Sequence, residues 1–251
     1  MTAGAPVHMV GAGPGDPLLV TRRAARLLAE ADVVVTDQRS TDAVAALARA
    51  SAEQCYVGRT PEGPAWSLAR LVDALAAHAA AGRRVVRLTS GDLFVCSHTA
   101  EEIAALVARG VTVTTTPGVT AATAAPLAVG MVPVPGTPVT IVSGDDDPDA
   151  APVDWPALAE AGSTLVVLAG SGRQRWIANR LLAAGTAATT PAAVVHAAGR
   201  PGTRVARTDL ARLRSTRLQP PTTAVIGPLV AAAPGRPMGG EHPGGSSEGR
   251  R

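Results

Sequence analysis

The first stretch of this sequence that could do chemistry is VGAGPGD at residues 10–16, where glycines at 11, 13 and 15 run into Asp16. Alternating glycines let a backbone pass close to a ligand or to another backbone. A dinucleotide-binding turn asks for Gly-x-Gly-x-x-Gly, with pyrophosphate resting on free N–H groups at a helix start. Here Asp16 occupies the final slot, its carboxylate competes with a phosphate for those donors, and Pro14 removes one N–H. Asp37 ends the run ADVVVTD, about 20 residues further on, where it imitates a ribose-binding acid. A strand-end aspartate that only caps a turn is the alternative. A tight strand-to-helix turn with no ligand also fits the glycines.

Other reactive types are sparse. The chain has no lysine, which removes any mechanism built on a lysine nucleophile or Schiff base. Arg59 attracts carboxylates but does not give up a proton near neutral pH. Cys55 and Cys96 have no metal-ligand spacing and read as reduced, buried thiols, so no metal site is expected. The acids at 145, 146, 147 and 149 read as a solvated loop. A net charge of +3 with scattered arginines, and aromatics at only 2% of residues, disfavour base stacking and nucleic-acid binding and admit an anionic small molecule. The first six residues carry no positive charge, so no export signal is expected and a cytoplasmic location is. Residues 121–142 are uncharged, but Pro126, Pro133, Pro135 and Pro138 make them a helix, a turn and a strand and not a membrane span.

The elements that must position these residues alternate. Strands are expected at 7–10, 32–36, 55–57, 84–88 and 111–115, with helices at 18–31, 41–50, 66–81 and 99–109. That rhythm predicts a mostly parallel sheet covered by helices. After a pause near 116–118, strands follow at 138–143, 164–168, 192–196 and 224–226, with helices at 156–161, 173–184 and 208–213. The expected division is an N-terminal α/β domain over 1–117, a C-terminal α/β domain over 118–231, and a disordered tail over 232–251 that is rich in Gly and Pro.

VGAGPGDP and ADVVVTD resemble the opening of the tetrapyrrole methylases, most closely the uroporphyrinogen-III C-methyltransferases of sirohaem and cobalamin biosynthesis. Further matches follow in that family's order: YVGR at 56–59, RVVRLTSGDLFV at 84–95, Glu101 and Glu102, TPGVTAATAAPLAVGMV at 116–132, TLVVLAG at 164–170, PAAVVHAAGRPGTRV at 191–205 and AVIGPLV at 224–230. The resemblance spans about residues 7–230. It implies a two-domain α/β methyltransferase, each domain a mixed, mostly parallel sheet flanked by helices, with the active site in the interdomain cleft, working as a homodimer on a reduced tetrapyrrole. The implied cofactor, S-adenosyl-L-methionine, carries no phosphate, so an acidic helix start is no obstacle to it.

By the same resemblance, Asp37 and Arg59 take the catalytic positions, Asp37 as general base. Pro14, Ser90, Gly91, Asp92, Val95, Thr120, Ala121, Ala169 and Ala198 contact the cofactor, and Arg39, His98 and Glu101 the substrate. Arg39, Arg59, Arg87 and Arg204 are expected to meet substrate carboxylates. Several positions depart from the family pattern: Arg59 replaces a usual lysine and His98 a usual arginine, while at the cofactor positions Ala169 replaces a usual methionine and Ala198 a usual glycine. A methyltransferase with another acceptor, or a degenerate homologue that only binds a ligand, are the alternatives.

Overall fold

Short β-branched runs build two five-stranded sheets in a computed structural model that describes residues 4–95, 99–133, 135–144, 153–168 and 173–232. His98, Cys96, Ala169, the acidic run and the tail from 233 onward lie outside the described residues. The first sheet contains β1 (Val7–Gly11), β2 (Val33–Thr36), β3 (Glu53–Tyr56), β4 (Val85–Thr89) and β5 (Val113–Thr116), in the order β3-β2-β4-β1-β5. Every pairing in it is parallel.

Parallel sheets are covered on both faces, and here the period-two alternation of side chains divides the strands cleanly. Val7, Met9, Val33, Val35 and Val85 point to the side covered by α3 (Leu68–Ala80) and α4 (Thr99–Ala108), where Leu71, Val72, Leu75 and Leu106 meet them. Val10, Val34, Val86 and Leu88 point the other way, onto Ala24 and Leu28 of α1 (Arg22–Glu30) and Val44 of α2 (Asp42–Ala45). Hydroxyl caps fix where helices begin: Thr21 Oγ1 accepts from the Ala24 N–H at 3.2 Å and Ser67 Oγ from the Arg70 N–H at 3.3 Å.

The second sheet holds β6 (Val139–Ser143), β7 (Thr164–Leu168), β8 (Pro191–His196), β9 (Arg204–Asp209) and β10 (Thr222–Ile226), in the order β6-β7-β10-β8-β9. Its inner rows pack on α6 (Trp155–Glu160), α7 (Gln174–Ala183) and α8 (Leu210–Leu213) on one face. On the other lie α5 (Ala121–Val129) and α9 (Pro228–Ala232), through Ala122, Ala125, Val129 and Val230. Gly130, at φ 78°, ends α5 in the left-handed conformation that suits glycine.

Both sheets are α/β layers as expected, and the second is mixed, but the mostly parallel pairing holds only for the first. Only β6 and β7 run parallel in the second sheet, whereas β7–β10, β10–β8 and β8–β9 are antiparallel. For β8 and β9 the reason is loop length: residues 197–203 are too few for a parallel crossover. Three helices also change. The helix expected at 18–31 splits into a 3₁₀ turn at Pro17–Leu19 and α1 because Asp16 caps the turn and Thr21 the helix. The one expected at 41–50 keeps only Asp42–Ala45 as α-helix. The one expected at 208–213 gives its first two residues to the strand β9, with Asp209 as cap of α8. No helix among the described residues is long and apolar enough to cross a membrane.

Candidate active site

Because all five strands of the first sheet run parallel, their carboxyl ends share one edge, the edge at which open α/β sheets bind ligands. The segments leaving that edge carry most of the residues singled out above: Pro14 after β1, Asp37 and Arg39 after β2, Arg59 after β3, Ser90 to Val95 after β4, and Thr120 and Ala121 after β5. From the second sheet, the turn after β8 brings Ala198, Gly199 and Arg200 against the same edge. A Cβ on Gly199 would lie 2.7 Å from Pro14 Cγ and 3.2 Å from Ala124 Cβ, and Arg200 Nε donates to the Pro14 carbonyl. Burial pulls the Arg200 guanidinium below its ordinary pKa. Val95 packs against the core of the second sheet. Ala169 directly follows Leu168 at the end of β7.

The glycines make this edge tight. Gly13 and Gly91 exchange two main-chain hydrogen bonds, at 3.0 and 2.8 Å. A Cβ on Gly11 would meet Gly118 N at 2.6 Å and Gly91 O at 2.8 Å, and one on Gly118 would meet Gly91 O at 2.2 Å. Three chain segments therefore touch backbone to backbone, which only glycine permits. Asp92 ties them together: Oδ1 accepts from the Phe94 N–H and Oδ2 from the Gly118 N–H, both at 2.9 Å. Both carboxylate oxygens of this expected cofactor residue are thus committed to shaping the loops. Thr120 Oγ1 caps α5 through the Ala122 N–H at 3.1 Å, and Ser90 Oγ lies 3.4 Å from Ser40 Oγ.

This turn is poorly equipped for pyrophosphate. The Ala12 and Gly13 N–H groups bond to Thr89 and Gly91, Leu18 N–H to Asp16 Oδ1 at 2.8 Å, and Leu19 N–H to the Asp16 carbonyl. Pro14 and Pro17 have none. Only Gly15 and Asp16 remain between residues 12 and 19, too few to cradle a diphosphate in the manner of a dinucleotide fold. A ligand that needs close backbone approach and no anion hole suits the same turn.

Behind this edge sits a buried ionic cluster. Arg87 occupies the middle of β4 with its side chain 2% exposed, on the face that carries Val85. There Glu102 projects from α4 on the same stripe as Leu106. Glu102 grips the guanidinium in a fork, Nε to Oε2 at 2.9 Å and Nη2 to Oε1 at 2.8 Å, and Nη2 also donates to Asp37 Oδ2 at 2.9 Å. Burial by itself lowers the pKa of Arg87. The hydrogen bonds and charges of Glu102 and Asp37 outweigh it and hold the group above its ordinary value. Asp37 Oδ1 is buried and has no hydrogen-bond partner among the described residues.

The expectation that Arg87 meets substrate carboxylates is therefore corrected: it is sealed beneath the sheet edge with its donors engaged by the protein's own acids. Arg59 and Glu101 are exposed, Glu101 turning outward from the helix face that carries Glu102. Arg39 is exposed as well, stacked 4.0 Å over the Tyr56 ring and 3.7 Å from Asp42. Arg204 is exposed on β9, opposite His196. The Arg87–Glu102 pair, Gly118 and Arg200 were missed as site-shaping residues. The signal for the first was available: a charge at the centre of an otherwise apolar strand requires a buried partner.

Residues 6–214 match the family described as Tetrapyrrole (Corrin/Porphyrin) Methylases. An S-adenosyl-L-methionine-dependent uroporphyrinogen III methyltransferase of Methanosarcina barkeri is 35% identical over 234 residues, covering 89% of this chain and 91% of that protein. The siroheme synthase of Nitrosomonas europaea is 34% identical over 237 residues, and the chain spans about half, 49%, of its length. Among solved structures, a uroporphyrin-III C-methyl transferase from Thermus thermophilus, complexed with S-adenyl homocysteine, superposes with a TM-score of 0.77 at 36% identity, covering 91% of this chain and 100% of that one. The chain belongs to the tetrapyrrole methylase family.

Proposed function

We propose that this chain is an S-adenosyl-L-methionine-dependent C-methyltransferase that acts on uroporphyrinogen III, in a cleft between two domains divided near residues 117 and 118. The observation that carries this reading is the sheet edge where Gly11, Gly91 and Gly118 meet backbone to backbone while the neighbouring turn lacks the free donors a dinucleotide needs. Support for the acceptor comes from the Methanosarcina relative, which is matched over 91% of its length.

Pro14, Ser90, Gly91, Val95, Thr120, Ala121, Ala169 and Ala198 hold the cofactor, largely through main-chain atoms, and Asp92 sets the shape of the loops that do so. When bound, the cofactor supplies a methyl group activated by a positively charged sulfur. The protein's part is to align acceptor carbon and methyl carbon and to exclude water. Exposed arginines, Arg39 and Arg59 first, attract the acceptor's carboxylates, and His98 and Glu101 also take part in binding it. Arg59 serves as a fixed positive charge, since a guanidinium keeps its proton. Asp37 takes the proton that the methylated acceptor releases. The enzyme works as a cytoplasmic homodimer without nucleic acid or membrane.

Calorimetric titration with S-adenosylhomocysteine and with NAD tests the cofactor half of the proposal. Saturable binding of the first and none of the second is expected; preference for NAD refutes it. For the chemistry, Asp37→Ala is expected to lower turnover while leaving S-adenosylhomocysteine affinity within about two-fold. An unchanged rate removes Asp37 from the mechanism.

A further inference from the structure

The Arg87 cluster is an odd device for stability. Burying a guanidinium costs several kcal/mol before any partner is found, and a buried ion pair commonly does no better than apolar residues of the same volume. Had pairing been the only requirement, Glu102 would meet it, because its two oxygens already take Nε and Nη2 in a fork. The structure adds a second acid on the same nitrogen. The two acids differ in setting: the Glu102 side chain is 9% exposed and that of Asp37 35%. The inner acid neutralises the guanidinium, and the outer one borders the sheet edge where ligand-binding loops meet.

We propose that Arg87 and Glu102 are positioning residues for Asp37: the guanidinium, locked by Glu102, pins the aspartate through Oδ2 and leaves Oδ1 to accept the proton. This rests on the assignment of Asp37 as the base. The geometry supports each part. Oδ2 is fixed at 2.9 Å from Nη2. Oδ1 has no donor among the described residues, a state that buried polar atoms rarely tolerate without a functional cause. The main chain that carries Asp37 is held close by the crossing at Gly58, whose Cβ would fall 2.1 Å from the Asp37 main-chain carbonyl oxygen and 2.5 Å from the Tyr56 hydroxyl.

Glu102 also offsets the charge of the guanidinium that Asp37 contacts. Other charged groups leaving the same sheet edge include Arg39, held over Tyr56, and Arg59 after β3. The proton balance is simple. An acceptor that gains a methyl group through a new carbon–carbon bond, while the carbon–sulfur bond gives its electron pair to sulfur, carries one surplus positive charge. Loss of one proton to Asp37 Oδ1 discharges it.

The test compares Arg87→Lys, Glu102→Gln and Asp37→Asn with the double variants Asp37→Asn/Arg87→Lys and Asp37→Asn/Glu102→Gln. Turnover with S-adenosylmethionine and uroporphyrinogen III, S-adenosylhomocysteine affinity and thermal melting are measured for each. The Arg87 and Glu102 variants are expected to lose about 10–100-fold in kcat, the scale of a misplaced catalytic group, with cofactor affinity nearly kept. In the Asp37→Asn background they are expected to add no further loss. Equal multiplicative losses in both backgrounds, or an unchanged kcat, overturn the proposal.

A crystal structure of Arg87→Lys gives an arm independent of the acceptor. Displacement of the Asp37 carboxylate is expected; a carboxylate that stays in place overturns the positioning role even if turnover falls. If the wild-type protein does not methylate uroporphyrinogen III, the acceptor assignment fails and the structural arm still decides the positioning role. If Asp37→Asn turns over at the wild-type rate, the base assignment fails and this proposal falls with it.

Discussion

Replacing Gly118 by alanine sets a methyl group against main chain alone. The new Cβ falls 2.2 Å from Gly91 O and 2.9 Å from the carbonyl carbon and oxygen of Gly11. No flexible side chain is among these neighbours, so relief requires the turn at 90–92 to withdraw by about 1 Å in a close-packed region. Overpacking of this kind costs about 1–3 kcal/mol. The withdrawal also stretches the bond from the Gly118 N–H to Asp92 Oδ2, now 2.9 Å, which belongs to the charged class worth about 1.5–3 kcal/mol. Because the shift trades one loss against the other, the expected destabilisation is roughly 2–4 kcal/mol, or about 4–16 °C in Tm for a chain of this size. Cofactor affinity should fall at least ten-fold, about 1.4 kcal/mol, since the displaced turn carries Ser90 and Gly91. Differential scanning calorimetry and titration with S-adenosylhomocysteine measure both. Gly63→Ala is the control, because nothing lies within 4 Å of its Cβ. If Gly118→Ala melts and binds like that control, the triple backbone contact does not shape the site.

Further outcomes follow from neighbouring contacts. Asp92→Ala strands the N–H groups of Phe94 and Gly118 and should lower S-adenosylhomocysteine affinity, with Asp92→Asn intermediate because its carbonyl oxygen still accepts; equal binding by all three proteins refutes the clamp. Arg200→Ala removes the donor to the Pro14 carbonyl and should weaken cofactor binding several-fold with little change in Tm, as read by titration and melting; a large Tm loss with intact affinity would place its role in folding. His8, whose Nδ1 lies 2.6 Å from Thr114 Oγ1, is held below its ordinary value of 6.5, chiefly by burial and then by the charge of Arg23. The unfolded chain therefore binds this proton more readily than the folded one, so its effect is absent above about pH 6.5 and erodes stability as pH falls through the folded pKa. His8→Gln should flatten the fall of urea midpoints below about pH 6.5, and identical slopes in the two proteins refute it.

How far the sequence could be read depended on how strongly local physics acted. The strand TLVVL at Thr164–Leu168 is a short, fully buried β-branched run, and its bounds were legible to the residue. The strand RVARTD at Arg204–Asp209 was missed because it is a half-exposed sheet edge with no apolar alternation. Its antiparallel pairing was still derivable, since seven residues cannot carry a crossover. The glycine turn was legible as a close approach and as a poor phosphate site. What it approaches, Gly91 and Gly118, depends on strand order, which no local pattern encodes. Asp37 was legible as a candidate base from its place at a strand end. Its tie to Glu102 through Arg87 joins residues 65 positions apart at most; the parallel register of β2 and β4 brings Asp37 to Arg87, and the packing of α4 on the same sheet face brings Glu102.

The shared edge of the first sheet is proposed to host methyl transfer to a reduced tetrapyrrole. Incubation of the wild-type protein with S-adenosylmethionine labelled in its methyl group and uroporphyrinogen III, under anaerobic conditions, measures this directly. The expected result is label in the tetrapyrrole with one S-adenosylhomocysteine formed per methyl group transferred. Saturable S-adenosylhomocysteine binding with no label in the tetrapyrrole would contradict it.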